Sequence, residues 1–307
     1  MQTGAVIAAA GMISQTGEFK PMLNIGSISV AQRIIATLQQ AGVAKIVVVT
    51  GYNADTLERH LANNGVIFLR NENYEHTEMF DSAKIGLDYL KDKCDRILFT
   101  PVDIPLFTAQ TVSMLLSTEA ELACPVCGGA WGHPLMISAD LVDRLLADTG
   151  DDGLQGAISR CGDNITEIPV DDLGVLHDVD APDDYNELLR QHNEQLIRPV
   201  VSVALAKEKP FFDSKIAMLL TLVDETASVR TACQRMQISY STGWNIIRTL
   251  ETQLCCTLVE RSQGGAGGGQ SCLTGNGRRL LSLYEEFQNQ VRRSANSLFE
   301  KYFAGEF

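Results

Sequence analysis

The chain has 307 residues, of which 45% are hydrophobic and 21% are charged. This composition is typical of globular proteins and excludes disordered and fibrous classes, and the length suits two domains. No apolar run approaches the roughly 20 residues that a membrane helix requires, and residues 1–11 lack the basic segment of a signal peptide. We therefore expect a cytoplasmic protein without a membrane partner.

Charge divides the chain into two parts. Residues 1–200 contain 13 Lys and Arg against 28 Asp and Glu, a net charge of −15. Residues 201–307 contain 12 against 10, a net charge of +2. An acidic first part and a mildly basic second part indicate two modules with different partners.

Short apolar strands alternate with amphipathic helices in the first part of the chain. The pattern predicts an α/β domain over residues 1–195, with a three-layer, mostly parallel sheet of the Rossmann-like kind. Strands are expected at 5–10, 45–50, 66–69, 96–100, 121–126 and 132–138. Helices are expected at 30–41, 53–62, 81–92, 108–117 and from 139, before a last strand and helix within 174–190.

The second part follows a predicted linker at 196–210, which contains two prolines. Residues 211–307 then predict an all-α, winged helix-turn-helix domain, because three short helices precede two strand-like segments around a glycine-rich turn. A final long helix from Thr274 carries an apolar row that is typical of a helix packed along a second copy of the chain. The row consists of Leu280, Tyr284, Phe287, Val291 and Leu298. We expect a homodimer.

Candidate chemistry is concentrated where the predicted strands end. The turn from Gly11 to Lys20 offers backbone amides and a lysine to a phosphate group. Asp103 follows the strand at 96–100, and Asp178 and Asp180 follow a late apolar segment. Carboxylates at such strand ends can hold a magnesium ion, Mg²⁺, against the phosphates of a nucleotide.

The stretch from Ala9-Ala10-Gly11 to Lys20-Pro21-Met22-Leu23 resembles the signature of the MobA-like nucleotidyltransferases. Asp103-Ile104-Pro105, Gly132-His133-Pro134, the segment from Asn73-Tyr74 to Leu87 and the segment 178–185 extend the resemblance over about residues 3–190, towards the molybdenum cofactor cytidylyltransferase branch. The family has the spacing Asn-x-x-Tyr where Asn73 and Tyr74 are adjacent in this sequence. Gln15, however, stands where that family has an arginine.

The resemblance implies roles for individual residues. Lys20 and Asp103 would be catalytic, Asp103 and Asp180 would hold the metal, and Gly132 and His133 would bind the acceptor. The implied nucleotide-binding residues are Ala9, Ala10, Gly11, Gly17, Lys20, Ser82 and Asp103. The implied reaction joins CTP, in preference to GTP, to a molybdopterin-type acceptor and releases pyrophosphate.

The segments Ser239–Trp244 and Leu258–Leu280 resemble the DNA-binding domain of ModE-like molybdate regulators, which are relatives of LysR-type regulators. This second resemblance implies double-stranded DNA as a partner. From their side chains and their place on the predicted recognition helix and wing, we expect the contact residues to be Ser239, Tyr240, Thr242, Asn245, Arg248 and Arg261. Because a net charge of +2 is small for a DNA-binding domain, a protein–protein dimerisation module is the alternative.

Three functions remain open at this point. The first is a molybdenum cofactor cytidylyltransferase fused to a DNA-binding domain. The second is a molybdenum-linked transcriptional regulator whose nucleotidyltransferase module is a degenerate ligand sensor, and the third is a nucleotidyltransferase acting on another phosphorylated acceptor. Lys20, Asp103 and Asp180 favour an enzyme, whereas Gln15 favours the sensor, because a neutral amide loses a charge-assisted contact with a triphosphate.

Overall fold

The structure is a computed structural model that describes residues 2–11, 19–62, 64–149, 151–161, 165–178, 185–195, 199–262 and 270–303. The chain divides into two compact units, Met1–Ile197 and Arg198–Phe307. Each unit has its own hydrophobic core. Within the described ranges, no helix is both long and apolar enough to cross a membrane.

The first unit is an α/β domain. Its strands are β1 Thr3–Ala9, β2 Asn24–Ile25, β3 Ile28–Ser29, β4 Lys45–Thr50, β5 Ile67–Arg70, β6 Arg96–Pro101, β7 Leu122–Cys127, β8 Ala130–Trp131, β9 Leu135–Ser138 and β10 Thr166–Pro169. Its helices are α1 Val30–Gln40, α2 Ala54–Leu61, α3 Met79–Leu90, α4 Ala109–Ser117, α5 Ala139–Leu146, α6 Gly153–Cys161 and α7 Tyr185–Gln195.

Eight of these strands form one large sheet in the order β10-β7-β9-β6-β1-β4-β5, with β8 paired to β7, and β2 and β3 form a separate antiparallel pair. Strand β9 runs antiparallel to both neighbours and β8 antiparallel to β7, whereas the other pairs in this sheet are parallel. The prediction of a three-layer, mostly parallel sheet is therefore confirmed.

Helices cover both faces of the sheet. Alternate residues of β1 enter different cores, since Ile7 packs with Ile34 of α1 and Val6 packs with Leu87 of α3. Gly86 permits the close approach of α3, because a Cβ atom at this position would collide with Val6. The central strand is thus buried on both sides, as its unbroken apolar run requires.

The end of the first unit differs from the sequence prediction. The apolar run near 174 is a 3-10 turn, Leu173–Val175, and not a strand. Asp172 forms this turn by accepting a hydrogen bond from the amide of Gly174, and Val175 is fully buried. The strand of this region is the mostly exposed β10, whose sequence lacks a strand-like apolar pattern. Helix α6 was also not predicted.

The second unit begins inside the predicted linker. Strands β11 Ala204–Ala206 and β12 Pro210–Asp213 form an antiparallel hairpin. Val203 and Phe212 are buried in the core of this unit. Part of the predicted linker, 196–210, therefore belongs to the second unit. The remaining elements are α8 Ser214–Thr226, α9 Val229–Arg235, α10 Tyr240–Leu254, β13 Val259–Ser262, β14 Gln270–Leu273 and α11 Gly275–Phe303.

Helix α11 does not present the whole predicted apolar row to a partner. Tyr284 and Leu281 are buried in the core of their own unit, and the hydroxyl of Tyr284 donates to the carbonyl of Val203 at 2.8 Å. The side chains that remain exposed along this helix and are large and apolar are Leu283, Phe287, Leu298, Tyr302 and Phe303. A row for a second copy is therefore displaced towards Leu283 and the end of the helix.

A buried polar cluster connects α1 to α7 in the first unit. Arg33 donates to the carbonyl of Ile25 at 2.7 Å and to Asn193 Oδ1 at 2.8 Å, and its Nη1 lies 3.0 Å from His192 Nδ1. His192 Nε2 lies 3.1 Å from the carbonyl of Phe107. Burial, together with the charge of Arg33, lowers the pKa of His192 to about 4, so this imidazole is neutral at pH 7.

The cluster makes the first unit sensitive to acid. Between about pH 6.5 and 4 the unfolded chain binds a proton on His192 that the folded chain does not, so the free energy of unfolding falls as the pH falls. We expect a loss of about 2 kcal/mol from this group between pH 7 and pH 5. Urea unfolding of His192→Gln should show a shallower pH dependence than wild type. The exposed His76→Gln is the control, and equal slopes for the two variants would contradict the assignment.

Candidate active site and candidate nucleic-acid interface

The candidate active site lies where the order of strands reverses. The chain proceeds from β1 to β4 and β5 on one side and returns to β6 on the other, which creates a crevice at the carboxyl ends of β1 and β6. The amide of Val102 donates to the carbonyl of Ala8 at 3.1 Å, and this bond joins the two strand ends. Gly11 and Asp103 therefore emerge at the same edge.

A lysine lies between two carboxylates in this crevice. Lys20 opens a 3-10 turn, Lys20–Met22, and its Nζ lies 3.2 Å from Asp178 Oδ1 and 3.8 Å from Asp103 Oδ2. The side chain of Lys20 is 19% exposed, and those of Asp103 and Asp178 are 34% and 47% exposed. Three segments that are distant in sequence thus bring opposite charges together at a partly desolvated edge, where their attraction exceeds that of fully exposed pairs.

A cavity of about 290 Å³ lies beside this cluster. Its lining includes most of the predicted nucleotide-binding residues, namely Ala9, Ala10, Gly11, Lys20, Ser82 and Asp103. Gly17 lies outside the described residues, as does Gln15. The opposite wall is formed by residues that the sequence analysis did not assign to the site, which are Tyr74, Thr77, Glu78 and Met79.

Asn71 supports that wall, and the sequence analysis missed it. Its buried side-chain amide donates to Ser82 Oγ at 3.0 Å and to Thr77 Oγ1 at 2.8 Å, and its Oδ1 accepts from the amide of Asn73 at 3.1 Å. Asn71 stands three residues before Tyr74, which is the family spacing Asn-x-x-Tyr. Asn73, which the resemblance assigned to this motif, has an exposed side chain.

Gly132 and His133 are not among the residues that line the cavity. The amide of His133 donates to the carbonyl of Val175 at 2.9 Å, and a Cβ atom at Gly132 would lie 2.6 Å from Val175 Cγ2. Both residues therefore support the turn that precedes Asp178. Burial lowers the pKa of His133 to about 4, so its imidazole is neutral at pH 7. A role for them in acceptor binding stays a prediction.

The predicted metal ligands are only partly within the described residues. Asp180 lies outside them, and the part of the chain that the structure describes contains no group of three His, Cys, Asp or Glu side chains that could hold a metal ion. Asp103 and Asp178 nevertheless direct carboxylate oxygens at one cation, the ammonium group of Lys20. Oxygen ligands of this type fit a hard divalent metal.

The second unit places its polar residues on one helix. Ser239 caps α10 by accepting a hydrogen bond from the amide of Thr242 at 3.1 Å. The predicted DNA contacts on this helix or at its cap are all exposed, and they are Ser239, Tyr240, Thr242, Asn245 and Arg248. Gly243 allows α10 to cross α9 closely, because a Cβ atom there would collide with Cys233.

The strand after α10 carries the last predicted contact, Arg261. Its guanidinium lies 3.6 Å from the ring centre of Trp244, a residue of the core. Arg278 is engaged by Asp224, to which it donates two hydrogen bonds at 2.8 and 3.1 Å. The helix-turn-helix and its strand pair thus have the architecture of a winged helix.

Comparison with known proteins agrees with this division. Residues 5–165 match the MobA-like NTP transferase domain, and residues 216–278 match the bacterial regulatory helix-turn-helix proteins of the lysR family. The transcriptional regulator ModE of Yersinia pestis is 35% identical over 79 residues, which is 26% of this chain and 30% of that protein. The chain therefore spans less than a third of the length of this curated relative.

Solved structures resemble the first unit. Rv0371c from Mycobacterium tuberculosis H37Rv superimposes with a TM-score of 0.53 at 23% identity, covering 62% of this chain and 97% of that chain. Rv0371c has also been solved as a complex with manganese. A nucleotidyl transferase from Methanothermobacter gives a TM-score of 0.53 at 20% identity, with 64% and 98% coverage. At these identities the likeness shows the fold.

The fold and the matched domains define a nucleotidyltransferase-type α/β domain followed by a winged helix-turn-helix. The chain belongs to the MobA-like NTP transferase family, since the matching domain occupies more than half of its length. Both family resemblances seen in the sequence are confirmed.

Asn71 provides a test of the cavity wall. Asn71→Ala removes three hydrogen bonds and leaves buried polar partners unsatisfied, so we expect a loss of about 1–3 kcal/mol in the free energy of unfolding. We also expect weaker nucleotide binding, measured by calorimetry. Asn73→Ala is the matched control and should change both quantities little. Equal effects of the two substitutions would show that Asn71 does not support the site.

Proposed function

We propose that the first unit transfers a nucleotidyl group from CTP to a molybdopterin-type acceptor, in a chain whose second unit binds DNA. The observation that carries the enzymatic part is the position of Lys20 between Asp103 and Asp178 at the mouth of a cavity. Membership of the MobA-like family supports nucleotidyl transfer. The molybdenum-linked acceptor is supported by similarity to the molybdenum transport protein ModE of Azotobacter vinelandii and to the molybdenum-pterin-binding protein MopB of Rhodobacter capsulatus, each 29% identical over 83 residues.

Lys20 has a defined task in this proposal. Attack of an acceptor phosphate on the α-phosphate of the nucleotide requires alignment and charge neutralisation more than a nucleophilic side chain. The ammonium group of Lys20 pairs with the phosphates, while the backbone beside Ala10 and Gly11 lets them approach the end of β1. The bond from the α-phosphate to pyrophosphate breaks as the bond to the acceptor oxygen forms.

Asp103 would hold a divalent metal together with a carboxylate of the segment 178–180, for which magnesium is our expectation. When bound, this metal supplies positive charge at the reacting phosphates. The manganese complex of Rv0371c is consistent with a divalent ion in this fold. The preference for CTP over GTP rests on the family resemblance of Gly132-His133-Pro134 and of the segment 178–185.

Asp103 also provides the test of catalysis. Full-length protein with magnesium, CTP or GTP and molybdopterin should release pyrophosphate, and Asp103→Asn should lower turnover by about 10²–10³-fold, as expected for a lost charge at a reacting centre. The free energy of unfolding should change by less than about 1 kcal/mol, because the carboxylate is partly exposed.

Asp140→Asn is the control for this experiment, since Asp140 is exposed on α5 at the opposite edge of the sheet. Full activity of Asp103→Asn would refute the assignment. Nucleotide binding without pyrophosphate release by wild type would favour the alternative of a ligand sensor. Release with another phosphorylated acceptor but not with molybdopterin would favour the third function.

The second unit is proposed to bind double-stranded DNA as a homodimer. The exposed groups on α10 suit phosphates and base edges, and similarity to ModE supports a regulatory role. Exposed apolar side chains on α11, including Leu283 and Phe287, provide a self-complementary surface for a second copy. Two winged helices would then reach successive major grooves, about 34 Å apart along the duplex.

Dimerisation can be tested through the salt dependence of DNA binding. We expect log affinity to fall linearly with log salt, and Phe287→Glu to yield a monomer with about half of the wild-type slope, because half of the phosphate contacts are lost. Light scattering and titration of a duplex from the gene's upstream region measure these quantities. The control Gln288→Glu adds the same charge at the neighbouring position and should stay dimeric. A monomeric wild type, or no DNA binding at low salt, would refute this part of the proposal.

A further inference from the structure

Four side chains in the second unit form a continuous series of cation–π and aromatic contacts, here called the ladder. Arg230 of α9 lies 5.1 Å from the ring centre of Tyr240, and Tyr240 meets Trp244 edge-on with 6.3 Å between ring centres. Arg261 of β13 lies 3.6 Å from the ring centre of Trp244. The ladder therefore connects both helices of the helix-turn-helix to the first strand of the wing.

The sequence spacing and the burial explain why the ladder forms. Tyr240 and Trp244 are four residues apart on α10, so their side chains lie on the same face of the helix. Trp244 is only 9% exposed, and its Nε1 is buried with no hydrogen-bond partner among the described residues. Burying an unpaired N–H group is unfavourable, so contacts of the ring faces, including the cation–π contact with Arg261, must offset this cost.

We propose that the ladder positions the wing strand against the recognition helix α10, with Trp244 and Arg261 as positioning residues for DNA binding. This inference rests on the proposed DNA-binding function. The guanidinium of Arg261 lies over the indole ring of Trp244 at 3.6 Å from the ring centre, and a guanidinium in such a contact keeps the N–H groups along its edges available to donate. Arg261 is thereby held in advance in an orientation that can meet a duplex phosphate beside the groove that α10 enters.

Arg261 belongs to the ladder, whereas Arg248, the other arginine predicted to contact DNA, does not. Arg248 is exposed on α10 and makes no aromatic contact within the described residues. If each arginine simply donated charge to a phosphate, replacement by lysine would have similar effects at both positions. If Arg261 acts through Trp244, lysine will fail there, because an ammonium group cannot stack flat on a ring.

The experiment uses the full chain with Trp131→Phe, which leaves Trp244 as the single tryptophan. The probe is a 30-base-pair duplex selected by the wild type from a random pool. Arg261→Lys should change the emission of Trp244 in the free protein and weaken duplex binding about tenfold, the equivalent of a cation–π contact of ordinary strength. Arg248→Lys should leave the emission unchanged and weaken binding less than about threefold.

Hydrogen exchange gives a second measurement that does not depend on DNA. Amides of Val259–Ser262 and Gln270–Leu273 should exchange faster in Arg261→Lys and in Tyr240→Leu, whereas Arg248→Lys should match wild type. Tyr240 is 44% exposed, so its replacement leaves the core intact.

The ladder proposal is overturned if wing exchange in Arg261→Lys equals that of wild type, or if both lysine variants weaken binding equally. A wild type that binds no duplex at low salt instead overturns the DNA-binding proposal, and with it any role of the ladder in recognition. The two failures are thus distinguishable.

Discussion

The site depends on one ammonium group that is shared by two carboxylates. Lys20 sits at the start of a short turn, and its partners arrive from the end of β6 and from the segment that follows a late 3-10 turn. None of these segments could hold the arrangement alone. The crevice at the strand-order reversal brings them together. The single ammonium charge offsets only one of the two carboxylate charges, so these three groups carry a net charge of −1.

Two residues behind the site support it, one polar and one small. Loss of a hydrogen bond of the first, or a larger side chain at the second, would destabilise the structure around the site. Asn71 fixes one wall by hydrogen bonds, and Gly132 lets Val175 pack closely beneath the segment that carries Asp178. Neither Asn71 nor Gly132 is among the residues that line the cavity. Their importance follows from the tertiary contacts that they make and not from a role in the reaction.

Much of the fold and of the site could be predicted from local pattern. Buried strands are recognisable as apolar runs in the sequence. The position of Gly11 and Asp103 just after such strands, and of Lys20 at the end of the turn that follows the first strand, predicted where the site lies. Asn71 was missed because Asn73 stands directly before Tyr74. The spacing Asn-x-x-Tyr and the burial of the side chain both distinguish Asn71 from Asn73. Strand β10 was missed because it is a mostly exposed edge without an apolar pattern. Periodicity along α11 could not separate side chains that enter their own core, such as Tyr284, from those that remain exposed, such as Phe287.

In both units the last described helix completes the core around residues near the beginning. His192 of α7 meets Arg33, 159 residues earlier, and Tyr284 of α11 reaches Val203, 81 residues earlier. During synthesis on the ribosome, Arg33 and the carbonyl of Val203 therefore gain these partners only when the final helix of their unit has emerged. Until α7 emerges, the guanidinium of Arg33 in α1 lacks its contact with the imidazole of His192. A chain that ends before α7 or before α11 would leave the core of the corresponding unit incomplete and exposed. We therefore expect each unit to become resistant to aggregation and proteolysis when its final helix has packed.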